Sequence, residues 1–275
     1  MEPLNITEIK NFARRFQDYR DDYILIGGAA CHLWFASRSL DFRRTADMDL
    51  VLVIRSQSRP FVERLAQFLV EYRYEAEELT LDDGTRKVRM YRFIAAVPNG
   101  MPPQIELLGP DNDTLRHAAE QHKIPVKLGT EYSGLSCIIL DNAYYDFLIA
   151  GRKWLDGVPV ANENALVAFK VKAYLNIMNR HAEGIPHGSD GSVKNANKHR
   201  NDVLRLLLMG QVEGAPVPQA IHADMESFVA SIQADSRNIQ NLLRSLNATI
   251  PGLDLDESEL RQQLNALPAL FPATP

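Results

Sequence analysis

Two aspartates separated by one residue lie at the start of an apolar run, in the segment Thr45-Ala46-Asp47-Met48-Asp49-Leu50. On a β-strand, side chains at i and i+2 point to the same face, so Asp47 and Asp49 aim at one point while Met48 and Leu50 face the core. Two carboxylates held in parallel repel each other unless a cation lies between them. Mg²⁺, or Mn²⁺ in its place, favours such oxygen ligands and completes its shell with water and substrate phosphates. The pair therefore predicts metal-assisted phosphoryl chemistry.

A third acid interrupts another apolar run, in the segment Pro102-Pro103-Gln104-Ile105-Glu106-Leu107-Leu108. Metal sites for phosphoryl transfer generally use one more carboxylate from a neighbouring strand, and Glu106 is the candidate. It is predicted to be the third metal ligand or the general base for an incoming hydroxyl. The alternative is an edge-strand residue that faces water.

Gly27-Gly28 follows the short apolar run Tyr23 to Ile26 and precedes a segment with helical spacing. Glycines at a strand-to-helix junction let backbone N–H groups come close to a triphosphate at the helix N-terminus. No Gly-Lys-Ser/Thr follows, and the third glycine of a dinucleotide fingerprint is missing, so neither of those motifs is present. The alternative is a plain tight turn.

The elements that must position these residues are strands and helices in the first half and mostly helices in the second. Apolar patterns predict strands at 23–26, 48–54, 87–96, 104–108 and 137–140, with helices at 5–20 and 60–72. Helical spacing also covers 162–178, 200–209, 219–233, 236–246 and 256–266. We predict an α+β protein with a mixed sheet flanked by helices over 1–158 and a mainly helical region over 159–275. The polar segment 181–200 is predicted to be a surface loop, and the Pro-rich end 267–275 a loosely held tail.

Composition limits the classes of protein that fit. The 275 residues are 45% hydrophobic and 24% charged, with a formal net charge of −5, which disfavours nonspecific coating of nucleic acid but leaves room for a local basic groove. Cys31 and Cys137 are the only cysteines, so neither a disulfide framework nor a CxxC metal pair exists. No apolar stretch has the length of a signal peptide core or a membrane span, so we expect a cytoplasmic protein with no membrane partner.

The order of these motifs resembles the minimal nucleotidyltransferases of the DNA polymerase beta superfamily. Gly27-Gly28 after a strand, then Arg44-Thr45-Ala46-Asp47-Met48-Asp49-Leu50, matches their pattern. The chain is most similar to the AbiEii-like toxins of type IV toxin–antitoxin systems, including the MenT type. Those proteins carry Ala-x-Lys-x-x-Ala and Lys-x-x-x-Asp elements, which match segments 168–173 and 198–203 here. The resemblance covers roughly residues 20 to 210.

The resemblance implies roles for particular residues. Residues 1–158 would form a nucleotidyltransferase catalytic domain, and the helical domain 159–275 would contribute Lys170 and Asp202 to its site. Asp47, Asp49 and Glu106 would bind the metals. The nucleotide-binding residues would be Gly27, Gly28, Arg44, Thr45 and Lys170.

Some of these roles have open alternatives. Lys170 and Lys172 lie about 200° apart on a helix, so only one of them can face a given site. Asp202 would orient Lys170 or the acceptor, and the alternative is a surface ion pair. For Asp47 and Asp49 the alternative is a solvent-exposed pair at a strand end. Arg44 and Thr45 would steady their loop or a phosphate, and the alternative is that they have no functional role.

The implied activity is transfer of NMP from an NTP substrate to a hydroxyl acceptor, with release of pyrophosphate. The acceptor would be the 3′ end of tRNA or another RNA, and a cognate antitoxin protein would be the partner. Two alternatives stay open: transfer to a small hydroxylated compound such as an aminoglycoside, and a nucleotide-binding module without turnover. The chain departs from the family in the 18 residues between Gly28 and Asp47, in His199 where an acid is common, and in an enlarged loop before Lys198.

Two further patterns are weaker. The strand at 86–92 carries four basic residues and a tyrosine, which fits either an RNA-facing surface or a strand with one wet face. His181, His187 and His199 do not have the spacing of a zinc site.

Overall fold

A computed structural model describes residues 3–53, 59–80, 86–110, 125–128, 131–134, 138–184 and 192–274. Cys137, His187 and the side chains of residues 86–91 therefore lie outside the description. The chain divides into two compact units, Met1–Ala161 and Asn162–Pro275, and each is described by itself. No helix in the described ranges is both long and apolar enough to cross a membrane.

The first unit contains four helices and ten strands within its described residues. Helices α1 to α4 cover Ile6–Arg15, Gly27–Ala36, Arg59–Glu71 and Asn142–Ala150, and a 3-10 turn covers Gln17–Tyr19. Strands β1 to β5 cover Tyr23–Ile26, Asp47–Leu52, Tyr74–Thr80, Arg86–Ala95 and Gln104–Pro110. Strands β6 to β10 cover Pro125–Leu128, Glu131–Gly134, Ile138–Leu140, Arg152–Leu155 and Val158–Ala161.

One mixed sheet organises the first unit. Its strand order is β3-β4-β5-β2-β1-β10-β9, with β8 paired to β5, while β6 and β7 form a separate hairpin. The pairs β1/β10, β2/β5 and β5/β8 are parallel and the others antiparallel. Together with the helical second unit, this topology confirms the predicted α+β class with a mixed sheet flanked by helices.

The core of the first unit follows the strand and helix periods of the sequence. All four residues of β1 are buried, as a central strand requires. In β2, Met48 and Leu50 are fully buried while Asp47 and Asp49 are half-buried, so the predicted alternation holds. Aromatic rings from α1, α3 and β1 fill the space beside the sheet, and Tyr23 stacks on Phe61 with ring centroids 6.0 Å apart.

The second unit contains five helices, α5 to α9, in its described residues. They cover Glu163–Ala182, Val193–Met209, Gln219–Gln233, Ser236–Thr249 and Glu257–Leu270. Helices α5 and α6 run antiparallel. Glu163 at the start of α5 accepts a hydrogen bond from the backbone N–H of Gln211, just beyond the end of α6. Farther along, Lys170 of α5 pairs with Asp202 of α6.

Two sequence predictions for this unit are wrong. Segment 181–200 is not one long loop, because α5 continues to Ala182 and α6 begins at Val193, where the Ser192 side chain accepts from the N–H of Asn195 and caps the helix. The end of the chain is not a loose tail either. Val217 donates its N–H to the carbonyl of Pro272 at 2.9 Å and accepts from Thr274 at 2.8 Å, so backbone pairing fixes this segment.

Candidate functional site

The predicted acids of the first unit share one face of the sheet. Strands β2 and β5 pair in parallel with Asp47 opposite Gln104 and Asp49 opposite Glu106. Residues paired in register on adjacent strands point to the same face and lie about 4.8 Å apart. The structure therefore brings Asp47, Asp49 and Glu106 to one face, with Asp49 and Glu106 as lateral neighbours.

The two glycines lie directly beneath this face, at the first turn of α2. A β-carbon on Gly27 would lie 1.8 Å from Asp49 Oδ2, and one on Gly28 would lie 3.0 Å from Thr45 Oγ1. Gly27 also has a φ of +71°, a conformation that side chains disfavour. Gly27 is thus needed for the close approach of Asp49, and a side chain at position 28 would require a small shift of Thr45.

The Asp49 carboxylate consequently lies at the N-terminus of α2. Ile26, the N-cap residue, provides no side-chain cap for this helix end, where the positive end of the helix dipole favours negative charge. Arg44 is exposed, whereas Thr45 is half-buried and its carbonyl accepts from the N–H of Leu4 at 2.7 Å. Of the two residues predicted to steady this loop, only Thr45 contacts the glycine pair in a described interaction.

Glu106 is held by polar neighbours on the same sheet. Arg92 Nε lies 2.6 Å from Glu106 Oε1, and Gln104 Nε2 donates to the same oxygen at 2.9 Å. Arg92 also reaches Glu77 on β3 at 3.2 Å. The alternative of an edge-strand acid facing water is wrong, since β5 lies between β4 and β2 and Glu106 is only 8% exposed.

The carboxylates on this face are the candidate ligands for the Mg²⁺ or Mn²⁺ that the sequence predicts. Asp47 and Asp49 supply hard oxygen donors on one face, which suits Mg²⁺ or Mn²⁺ with water and phosphate completing the shell. Across the described part of the chain, however, no three His, Cys, Asp or Glu side chains are grouped as metal ligands. Glu106 lies against Arg92 and Gln104, so the geometry fits two protein carboxylates, and ligation by Glu106 stays a prediction.

In the second unit, the predicted lysine and aspartate form a buried ion pair. Lys170 Nζ donates to Asp202 Oδ2 at 2.8 Å, with side chains 5% and 1% exposed. The surface-pair alternative for Asp202 is therefore wrong. Lys172 points elsewhere and donates to Asp224 Oδ2 on α7, also at 2.8 Å, in a more exposed pair. The two lysines occupy different faces of α5, as their 200° separation predicts.

Sequence reasoning missed several partners of these residues. Gln104 lies two residues before Glu106 on a strand, so the same i, i+2 rule that paired Asp47 with Asp49 would have found it. Arg92 and Glu77 come from other strands, and their position depends on the register between β3, β4 and β5. No local pattern links them to Glu106.

Comparisons with known proteins give little further. No protein-family model matches the chain, and no curated protein matches it. Among solved structures, the chain is similar to an antigenic nucleotidyltransferase-like protein from Paracoccidioides brasiliensis, at 17% identity and a TM-score of 0.43. The alignment covers 88% of this chain and 95% of that one. Similarity at this level does not indicate the function of the chain, which is inferred below from its own residues.

Proposed function

We propose that the chain is a metal-dependent nucleotidyltransferase that transfers NMP from an NTP to a hydroxyl acceptor. The observation that carries this proposal is the position of the Asp49 carboxylate over Gly27 at the start of α2. An acid on the same strand face, Asp47, stands two residues before it. A helix N-terminus for phosphate and two acids for a cation thus lie together, as transfer from a triphosphate requires.

The chemistry divides among the residues of this face. In the proposed reaction the acceptor oxygen attacks the α-phosphorus of the NTP. The bond between the α-phosphorus and the oxygen that bridges the α- and β-phosphates breaks, and pyrophosphate leaves with the electron pair of that bond. Asp47 and Asp49 would hold Mg²⁺, which supplies compensation for the phosphate charge when bound. Backbone N–H groups at Gly27 and Gly28 would donate to phosphate oxygens. Glu106, beside Asp49, is the candidate to accept the hydroxyl proton.

Two roles remain proposals from the sequence. Lys170 would compensate triphosphate charge as a point cation, and its pairing with Asp202 supports a fixed orientation of the ammonium group. The acceptor would be the 3′ end of tRNA or another RNA, with the protein acting as a toxin that an antitoxin restrains. Growth inhibition on expression, relieved by a co-expressed protein, would be the corresponding cellular observation.

The test is incubation of the purified protein with each α-labelled NTP, Mg²⁺ or Mn²⁺, and total RNA. Asp47→Asn and Asp49→Asn should each lower transfer by at least about a hundredfold, because each removes a metal-binding charge. Asp254→Asn, which neutralises an acid outside this face, is the matched control. Transfer by Asp49→Asn at the wild-type rate would contradict the proposal.

The same assay separates the acceptors. Label in RNA supports the RNA acceptor, whereas label confined to the low-mass fraction would identify a small-molecule acceptor instead. NTP binding without Mg²⁺ dependence and without pyrophosphate release would identify a nucleotide-binding module.

A further inference from the structure

Three cationic side chains lie at the same end of the α5–α6 hairpin. Arg180 belongs to the last turn of α5, and Lys194 and Lys198 belong to the first two turns of α6. All three are exposed. Within the described part of the chain, none forms a hydrogen bond or an ion pair.

The Lys170–Asp202 pair fixes the direction in which these side chains project. Lys170 and Asp202 point at each other, so they define the inner line of the hairpin. Arg180 follows Lys170 by ten residues, a rotation of about 1,000°, or 80° short of three turns. Lys194 precedes Asp202 by eight residues, about 800°, or 80° past two turns. Because the helices run antiparallel, both rotations turn these side chains to the same side.

The remaining members of the group follow the same geometry. Lys198 precedes Asp202 by four residues, so it is turned about 40° to that side. At a rise of 1.5 Å per residue, Lys198, Lys194 and Arg180 lie about 6, 12 and 15 Å from the level of the ion pair. The three cations therefore form a track about 9 Å long on one side of the hairpin, which we call the hairpin track.

Two of the three cations are placed unfavourably for helix stability, whereas Arg180, in the last turn of α5, is favoured by the helix dipole. Lys194 lies in the first turn of α6, where the helix dipole disfavours a cation, and Lys194 and Lys198 are like charges at i, i+4. Residues 162–275 contain ten Lys and Arg against twelve Asp and Glu, so acids were available to pair with them. Arg237 and Arg261 do have such partners, in Asp235 and Glu257.

Amide side chains on the same side favour nucleic acid as the ligand. By the same helix geometry, Asn176 and Asn197 are turned to the side of the hairpin track. Neither amide group forms a hydrogen bond within the described ranges. Amides next to cations are the groups that bind phosphate and sugar oxygens of nucleic acids, whereas a lipid surface would call for apolar and aromatic side chains. Val193 is the one large exposed apolar residue described on these two helices.

We propose that the hairpin track binds the phosphate backbone of RNA. Three cations along such a track can contact a few consecutive phosphates of one strand. This deepens the proposed function by assigning a binding surface to its RNA acceptor, and it rests on that function only for its biological purpose. Binding itself needs neither NTP nor metal.

The experiment measures binding of labelled, unfractionated tRNA by fluorescence anisotropy, without NTP or divalent cations, across a series of salt concentrations. The test variant is Arg180→Gln/Lys194→Gln/Lys198→Gln. The matched control is Arg237→Gln/Arg244→Gln/Arg261→Gln, which removes the same charge from cations of α8 and α9 in the same unit. Circular dichroism verifies that both variants are folded.

The test variant should bind tRNA at least about tenfold more weakly than wild type near 100 mM salt, and its slope of log K against log[salt] should be smaller by about 2 to 3. The control should bind within about threefold of wild type. An equal loss in both variants would show that only net charge matters and would overturn the proposal. Absence of tRNA binding by wild type, or binding by the track to phosphatidylserine vesicles only, would overturn it as well.

The nucleotidyltransferase proposal can fail separately. If wild type binds tRNA through the hairpin track but transfers no NMP, the binding inference stands and the catalytic one falls. If NMP transfer occurs to RNA and the test variant binds tRNA as wild type does, the catalytic proposal stands and the track does not.

Discussion

The carboxylate of Asp49 fills the space that a side chain on residue 27 would need. Its Oδ2 atom lies 1.8 Å from the position of a β-carbon on Gly27, and Gly27 has a φ of +71°. Strand β2 and helix α2 can therefore approach this closely only when residue 27 is glycine. The approach places a carboxylate at the N-terminus of a helix.

Substitution Gly27→Ala should destabilise the protein and abolish NMP transfer. The positive φ costs a side chain about 1 to 2 kcal/mol, and the methyl group must also displace the Asp49 carboxylate. Urea denaturation and the labelled-NTP assay measure the two effects.

Gly157→Ala is the matched control, because Gly157 has a φ of +81° but nothing within 4 Å of its β-carbon position. It should show the backbone cost of about 1 to 2 kcal/mol and retain transfer. Equal transfer by the two variants would mean that the close approach of Asp49 is unimportant for activity.

Breaking the buried pair of Lys170 and Asp202 should be costly. Lys170→Met or Asp202→Asn each removes one charge of this buried ion pair, and a loss of about 3 to 5 kcal/mol in the free energy of unfolding is expected. The double variant Lys170→Met/Asp202→Asn should lose less than the sum of the two. Chemical denaturation of all four proteins measures the coupling.

Lys172 and Asp224 offer the comparison, since this pair has the same 2.8 Å separation but side chains 35% and 20% exposed. Lys172→Met and Asp224→Asn should each cost no more than about 1 kcal/mol. Similar costs for both pairs would show that burial does not set the strength of this interaction.

Tyr23→Phe should leave stability unchanged or raise it by up to about 1 kcal/mol. The Tyr23 hydroxyl is buried and has no hydrogen-bond partner among the described residues, so its removal relieves a desolvation cost. Burial raises the pKa of Tyr23, partly offset by Arg20, so the hydroxyl stays protonated throughout the accessible pH range. Thermal denaturation measures the change.

Tyr74 provides the opposite case. Its buried hydroxyl donates to the carbonyl of Pro102, and Tyr74→Phe should therefore cost about 0.5 to 1.5 kcal/mol. This account would be contradicted if Tyr74→Phe stabilised the protein. It would also be contradicted if Tyr23→Phe lowered the free energy of unfolding as much as Tyr74→Phe does.

The stability of the folded protein should fall at acidic pH because His32 binds a proton more readily in the unfolded chain. Burial lowers the pKa of His32 below the ordinary value of 6.5, and nearby Asp41 opposes this only in part. The unfolded chain therefore binds the proton first, so the contribution of neutral His32 is present above pH 6.5 and is lost as the pH falls below it. Melting temperatures at pH 7.5 and 5.5 should differ more for wild type than for His32→Gln.

His181→Gln, which replaces an exposed histidine, is the control. An unchanged pH dependence in His32→Gln would rule out His32 as a source of the acid sensitivity.

Much of the local structure was predictable because it depends on short-range patterns. The alternation in β2 correctly placed Met48 and Leu50 in the core and the two aspartates on the other face. The polar composition of 181–200 led to a wrong loop, because the Ser192 cap and the packed face of α6 outweigh composition. The prediction of a loose tail was wrong because the backbone partner of this segment, Val217, lies more than fifty residues away in the sequence.

The sequence by itself determined the strand period that aligns Asp47 with Asp49, the glycine pair at the start of α2, and the separate faces of Lys170 and Lys172. These follow from the repeat of a strand or a helix, which few neighbouring residues decide. Only the tertiary structure decided that Asp49 rests on Gly27, that Arg92 lies against Glu106, and that Asp202 is buried with Lys170. Those contacts join residues that are 14 to 32 positions apart, because sheet register and helix packing set them.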